Sequence, residues 1–288
     1  MKRTKLDFLI AVCALALLVE LAVFVSSSLS AFASSDAPMD GVRLPIIMYH
    51  SIVNAPNRWG TYVISSDELE SDLKYLEENH YTTVTIQDLI GYVYEGKALP
   101  EKPVMLTFDD GYYNNYLYVL PLLEKHNMRA VISIVGIYTD RYSVAVDNNP
   151  LYSHVTWPQI REMVNSGYVE IQNHSYDLHK ISKDRSASMK VSGESIEHYR
   201  AILISDTIKL QSLMDINTGR MPTAFTYPFG LVSKDSTSII KDIGFKASLS
   251  CYSGINQITD DPDSLYLLKR LLRPHGKPVS RLLAGKYK

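Results

Sequence analysis

From residue 44 onward the chain alternates short apolar runs rich in β-branched residues with longer stretches of helical period, and this alternation narrows its possible folds more than any other feature. The runs cover residues 44–49, 82–85, 103–108, 130–135, 169–172, 224–227, 246–249 and 265–268, each of strand length. Helix signals fall between most of them. Ser65-Ser66-Asp67-Glu68 reads as a capping box ahead of Leu69, Leu73 and Leu76 on one face, and Thr85 with Asp88 opens a second helix. Thr156 caps a third, with Pro158 in its first turn and Gly167 beyond its end; Gly244 closes another, and a long helix is expected over about residues 192–214. Strands interleaved with helices in this way imply a parallel sheet with helices outside, either closed as a barrel or open and doubly wound.

Such a sheet collects the carboxyl ends of its strands at one face, where the active sites of parallel barrels are built. His50 follows the run LPIIMY, Asp109 and Asp110 follow PVMLTF, His174 follows VEIQN, and Tyr227 with Pro228 ends AFTY. Each motif alone has a bland reading, since FDDG is a common turn and one histidine after a strand is usually a surface residue. Their joint placement at strand ends points to a shared site. His80, His126, His198 and His275 lack that placement and read as surface or capping residues. The tyrosines of GYYNNYLY and Trp157 read equally as core or as sugar-stacking platforms, and Cys251 reads as a small buried apolar residue.

Paired carboxylates beside histidines suit a metal. Neighbouring strand side chains point opposite ways, so one aspartate could bind the ion and the other hold its water, with Gly111 providing the turn that exposes both. His174 and His179 would add nitrogen ligands from a loop, because their spacing is not the i, i+4 pairing of a zinc helix; one Asp with two His is an open metal arrangement. The HExxH metalloprotease pattern is excluded by Ser175, which stands where its glutamate should be.

Taken in order, TFDDG, HSYDLH and YPFG resemble the motifs of the NodB-homology polysaccharide deacetylases, carbohydrate esterase family 4. LPIIMYHSI and the histidine spacing resemble the poly-N-acetylglucosamine deacetylase branch, and the likeness covers most of residues 43–275. The resemblance implies a single catalytic domain over residues 43–288, folded as an α/β, distorted (β/α)7 barrel. It implies one divalent metal ion, expected to be zinc, and removal of acetyl groups from N-acetylated cell-wall or extracellular polysaccharide. Asp110, His174 and His179 match the family's metal ligands, Asp109 the base that takes a proton from the water on the metal, and His50 the acid that protonates the leaving amine. In YPFG, Tyr227 and the backbone N–H of Phe229 match a substrate or oxyanion contact. The chain departs from the family where an arginine closely preceding the tyrosine-proline pair should orient the base; Arg270, in LLKRLLR, is the candidate substitute. An O-acetyl carbohydrate esterase and a non-catalytic glycan-binding barrel remain alternatives. A metal phosphoesterase would also use paired aspartates, but it calls for a Gly-rich loop or clustered Arg/Lys, and neither is visible.

Ahead of the fold, Lys2, Arg3 and Lys5 precede an apolar stretch, residues 8–25, and a serine-rich patch ending in Ala31-Phe32-Ala33, the pattern of an export signal over residues 1–33. Its roughly 18 apolar positions suit either a cleaved signal peptide or an anchor. Glu20 favours cleavage, because a carboxylate kept in lipid is costly. Residues 34–42 read as a linker. Cleavage leaves Cys251 as the sole cysteine, so a secreted or wall-associated product would hold together without an internal disulfide. A large core does that work instead, and 46% hydrophobic residues in a chain of 288 allow one. A formal net charge of -2 without any basic run excludes nucleic acid as a partner. An acetylated glycan of peptidoglycan or poly-N-acetylglucosamine type is the expected partner, with membrane contact only through the N-terminal segment.

Overall fold

The computed structural model describes residues 41–284. The expected export signal, and all but the end of the expected linker, lie outside the described residues. Seven parallel strands form the centre: β1 Ile46–Tyr49, β2 Pro103–Phe108, β3 Ala130–Ile134, β4 Val169–Asn173, β5 Ala224–Thr226, β6 Ala247–Leu249 and β7 Leu271–Leu272. Their spatial order is β7-β1-β2-β3-β4-β5-β6. The two outer edges meet where Leu268 N–H donates to the Ser248 carbonyl at 2.8 Å and Ser250 N–H donates to the Leu268 carbonyl at 3.0 Å. One parallel bridge, Leu249 to Leu268, thus closes the ring, and the fold is the distorted (β/α)7 barrel expected. A second distortion lies beside β2, whose first residues pair with Thr82–Thr83 while only Thr107 and Phe108 pair with β3.

Alternation along the strands sorts side chains between two layers. Ile47, Leu106, Phe108, Ile132, Ile134 and Ile171 pack together on the outer layer against the helices. Ile46, Met105, Val131, Ala224 and Ala247 form the apolar plug inside the barrel. Above that plug the inward positions turn polar, with Thr107, Ser133 and Thr226 all buried and the hydroxyls of Ser133 and Thr226 2.7 Å apart. The polar layer is the floor of the site.

The helices start and stop where their caps dictate. Helix α1, Ser66–Glu78, has Ser65 and Glu68 in a reciprocal capping box, and α2, Ile86–Glu95, has Thr85 and Asp88 in another. Capping sets the start of α1 at about 1 kcal/mol, whereas Leu69, Leu73 and Leu76, all fully buried, contribute about 1.5–3 kcal/mol each. Burial therefore docks the helix and the cap only positions it. Helix α3 is Leu120–Lys125, α4 is Gly136–Val144, and α5, Trp157–Asn165, starts at Thr156 with Pro158 in its first turn, as expected. The long helix α6 spans Ile196–Thr218, later than expected, because Ser195 accepts from His198 N–H at its start and left-handed Gly219 ends it. Helix α7 is Ser236–Ile243, closed by Gly244, and α8 is Val279–Leu283.

One strand expectation fails. Residues 265–268 are not a strand: Leu265 ends a 3-10 turn, Leu267 has φ 57°, and only Leu268 pairs. Buried Leu265, Leu268 and Leu271 make this stretch apolar without a period, which leaves the strand position ambiguous in sequence.

Candidate active site

Asp109 extends β2 by one residue, with its N–H still donating to the Tyr49 carbonyl at 3.1 Å. Asp110 and Gly111 are then both left-handed, at φ 73° and 68°. A strand alone would send the two carboxylates to opposite faces; the left-handed turn brings both to one cleft. A Cβ on Gly111 would sit 2.8 Å from Ile134 Cγ2, so the turn admits glycine alone.

Behind Asp109 lies Arg270. Its Nη1 and Nη2 reach the two carboxylate oxygens at 2.7 and 2.8 Å, and its Nε donates to the Ser250 carbonyl at 2.8 Å. The guanidinium is fully buried, so Arg270 braces the aspartate and has no access to a substrate. On the open side, His50 Nε2 stands 3.9 Å from Asp109 Oδ2, and its ring packs against Tyr62 at 4.8 Å.

Asp110 faces the histidine pair. His174 Nε2 lies 3.5 Å and His179 Nε2 3.1 Å from Asp110 Oδ1, yet that oxygen makes no hydrogen bond. His174 Nδ1 is 2.8 Å from the Thr226 carbonyl, which can only accept. In the neutral imidazole the proton is thereby fixed on Nδ1, and the lone pair of Nε2 is turned toward Asp110. One carboxylate oxygen and two imidazole nitrogens lie within 4.8 Å of one another. A buried oxygen without a donor beside two converging imidazoles is the donor set that a zinc-like divalent ion fits.

Charge in this cluster is set by competition. Burial resists ionisation of both aspartates, but the charge of Arg270 outweighs it at Asp109 and holds that carboxyl below its usual range. At Asp110 the two imidazoles prevail over burial and hold it well below. Burial also lowers His174, and Asp110 with Asp109 reverses the sign, leaving that imidazole raised. At His50 burial wins against the pull of the two aspartates, and the ring sits below an ordinary histidine.

The cleft encloses about 430 Å³ and includes Tyr62, Tyr112, Phe229, Cys251 and Leu272 in its walls besides the charged cluster. Among the described residues no lysine or arginine lines it, which argues against a phosphate substrate. Phe229, half exposed at φ 56°, lays its ring over His179 at 4.3 Å. Tyr227 is not brought to the cleft. Thr226 faces into the barrel, so its neighbour faces out, and Tyr227 is fully buried against Phe225, Tyr199 and Ile240. A direct substrate contact from its side chain is therefore corrected to a core role. Cys251 also departs from expectation: it is an exposed residue on the cleft wall, with its Sγ turned inward to 3.7 Å from Arg270 Nη2 and 3.8 Å from Met48 Sδ.

The sequence profile of the polysaccharide deacetylases matches residues 96–248, more than half of the chain. The chain belongs to the polysaccharide deacetylase family. It is 25% identical over 211 residues to the poly-beta-1,6-N-acetyl-D-glucosamine N-deacetylase of Staphylococcus aureus strain MSSA476, covering 73% of this chain and 68% of that protein. Among solved structures, a de-N-acetylase from Aggregatibacter actinomycetemcomitans superposes with a TM-score of 0.72 at 27% identity, over 84% of this chain and 98% of that one. IcaB from Ammonifex degensii superposes with a TM-score of 0.69 at 25% identity, over 85% and 96% of the two chains.

Several residues that build this candidate site carry no clear signal in the sequence. Asn115 Nδ2 donates to the His50 carbonyl at 2.9 Å, and Asn114 Oδ1 accepts from Ile52 N–H at 3.0 Å, so the two asparagines after GYY hold the His50 segment. His154 pairs across a bridge with Tyr112 and lies among the rings of Tyr112, Tyr138 and Tyr142. Burial pushes it down to about 4, so it is neutral. No strand end or motif marks His154, and only the fold brings it beside Tyr112. Trp157 is core, with its Nε1 donating to Asp140 at 2.8 Å. His126 is half-buried and pairs with exposed Glu77, His198 and His275 are exposed and pair with the less accessible Glu194 and Glu68, and His80 is exposed at a left-handed turn.

Proposed function

We propose that this protein is a metal-dependent hydrolase that removes acetyl groups from the amide nitrogens of an N-acetylglucosamine polysaccharide of the β-1,6-linked type. The observation that carries the reading is the convergence of Asp110, His174 and His179 beside an aspartate braced on both oxygens by Arg270. The names of the S. aureus and A. actinomycetemcomitans relatives support the N-acetyl substrate class.

In this reading Asp110, His174 and His179 hold the ion. A bound divalent metal, zinc by its preference for one oxygen and two nitrogens, supplies a Lewis acid that polarises the acetyl carbonyl and makes water a usable nucleophile at neutral pH. Asp109, ionised because Arg270 offsets its burial, accepts the proton of the attacking water. Arg270 has no proton to exchange and keeps the carboxylate at one angle. His50, across the cleft from Asp109, gives the proton that the departing amine nitrogen needs. The backbone N–H of Phe229 serves as a donor toward the developing oxyanion, and the exposed rings of Tyr62 and Phe229 flank the sugar. Residues 1–33 direct export, so the enzyme acts outside the cytoplasmic membrane, with Ser34 as the first residue of a cleaved product.

Acetate release from acetylated β-1,6-glucosamine oligomers tests the reading. Activity that disappears on chelation and returns with zinc or cobalt is expected. Full turnover in rigorously metal-free protein, or release only from O-acetyl esters, would refute it. Amino-terminal sequencing of the wall and medium fractions tests export, and a product confined to the cytoplasm would refute that part alone.

A further inference from the structure

We propose that Asp206 is a positioning residue for the metal site, whose carboxylate holds two consecutive amides of the loop between His174 and His179 and so fixes the separation of the two imidazoles. The proposal rests on the metal reading above.

The loop has neither helix nor strand to shape it. Its first residue after His174, Ser175, is fully buried at φ 71°, a conformation that costs a non-glycine residue about 1–3 kcal/mol and must be held by its surroundings. Asn173 Oδ1 accepts from Ser175 N–H at 2.8 Å. The next two amides are taken by one side chain: Asp206 Oδ1 accepts from Tyr176 N–H and Oδ2 from Asp177 N–H, each at 2.7 Å. On the other side of the loop, the Ser175 and Tyr176 carbonyls accept from the N–H groups of Gly136 and Ile137 at 3.1 and 2.9 Å. A Cβ on Gly136 would meet Tyr176 Cδ2 at 2.7 Å, so the loop lies directly against the start of α4. Asn173 Nδ2 donates to the Thr207 carbonyl at 3.0 Å, tying the end of β4 to the same turn of α6 that carries Asp206.

Only a carboxylate answers this arrangement. It offers one acceptor to each amide, whereas an asparagine must turn its NH2 toward one of the two N–H groups. Burial pushes the Asp206 carboxyl up to about 6, so at neutral pH it is still an acceptor at both oxygens. The side chain of Asp177 is engaged elsewhere, with Lys180 at 2.7 Å, and does not compete. Asp206 touches neither histidine through these bonds. It acts through the backbone, and that separates it from the groups bearing on the ion.

Zinc affinity by chelator competition, the cobalt(II) absorption band and the melting temperature of the metal-free protein, all on the full chain, test the proposal with Asp206→Asn. Expected are a loss of zinc affinity of about 10–100-fold, the usual effect of removing a group that orients ligands, and a changed cobalt band. A lower melting temperature with affinity and band unchanged would make Asp206 merely structural and overturn the proposal. Wild-type protein that binds neither ion would overturn the metal reading and this one with it. Should the variant not fold, amide exchange on the wild type decides. Slow exchange at Tyr176 and Asp177, slowed further by zinc, is expected; free exchange at both would overturn the proposal.

Discussion

Arg270 clasps Asp109 with two parallel hydrogen bonds of 2.7 and 2.8 Å, with 0% and 2% of the two side chains exposed. A pair this deeply buried is weak evidence for stability, because the desolvation of two charges cancels most of their attraction. Its value lies in geometry. A forked contact leaves the carboxylate one orientation, and the Ser250 carbonyl on Nε leaves the guanidinium one as well.

Arg270→Met tests that relationship first. Removing the guanidinium strands a buried carboxylate, and unfolding in denaturant should show a loss of about 3–5 kcal/mol. The shift at Asp109 has a definite sign: burial raises it and Arg270 lowers it, so without Arg270 the acid limb of the kcat/KM profile should move to higher pH. Arg270→Lys keeps the charge and loses the fork, and should move the limb less. An acid limb that stays in place in folded Arg270→Met would mean that Asp109 is not the base.

The paired aspartates should separate under substitution. Asp110→Asn should lose zinc, whereas Asp109→Asn should retain it and still lose about 10²–10⁴-fold in rate, the usual contribution of a general base. Metal content and acetate release on the two purified variants decide this. Equal metal loss in both would make both carboxylates ligands.

His50→Ala should retain metal and lose the alkaline limb of the pH profile, since the proton given up on that limb is the one delivered to the amine. The defect should be about 10²-fold or more on an N-acetyl substrate and much smaller on an activated acetyl ester, whose leaving group needs little protonation. Equal defects on the two substrates would remove His50 as the acid. The limbs themselves belong to the coupled site and not to single residues.

Away from the cleft, Glu68 predicts an acid-stability effect. Burial raises its carboxyl, but bonds from His275, Gly276, Arg273 and Ser65 bring it down to about 2. A depressed carboxyl contributes stability in full above its unfolded value and loses it as pH falls toward the folded one. Between pH about 4.5 and about 2 the melting temperature of the wild type should therefore fall more steeply than that of Glu68→Gln. Parallel curves over that window would show that the cluster carries no such linkage.

Much of this site is legible in the sequence. Strand alternation placed His50, Asp109 and His174 at strand ends, because each follows directly on an apolar run. Pairwise contacts across the barrel were legible only through the family pattern, whose missing arginine pointed to Arg270 as the substitute. It sits 161 residues from Asp109 in a leucine stretch without period, where nothing local distinguishes a buried brace from a surface charge. Tyr227 failed for the opposite reason. The motif marked the position, while the parity of β5 turned its side chain outward. The clustering of Asp109 and Asp110 on one face depends on a non-glycine residue at positive φ, which no period reports.

The bridge at Leu268 that seals the barrel stands two residues ahead of Arg270, on the segment that reaches the ring last in chain order. Sealing the barrel and bracing Asp109 therefore fall to one short stretch of chain. A substitution that loosens Leu268 would disturb the barrel seam and, two residues on, the fork that gives the Asp109 carboxylate its single orientation.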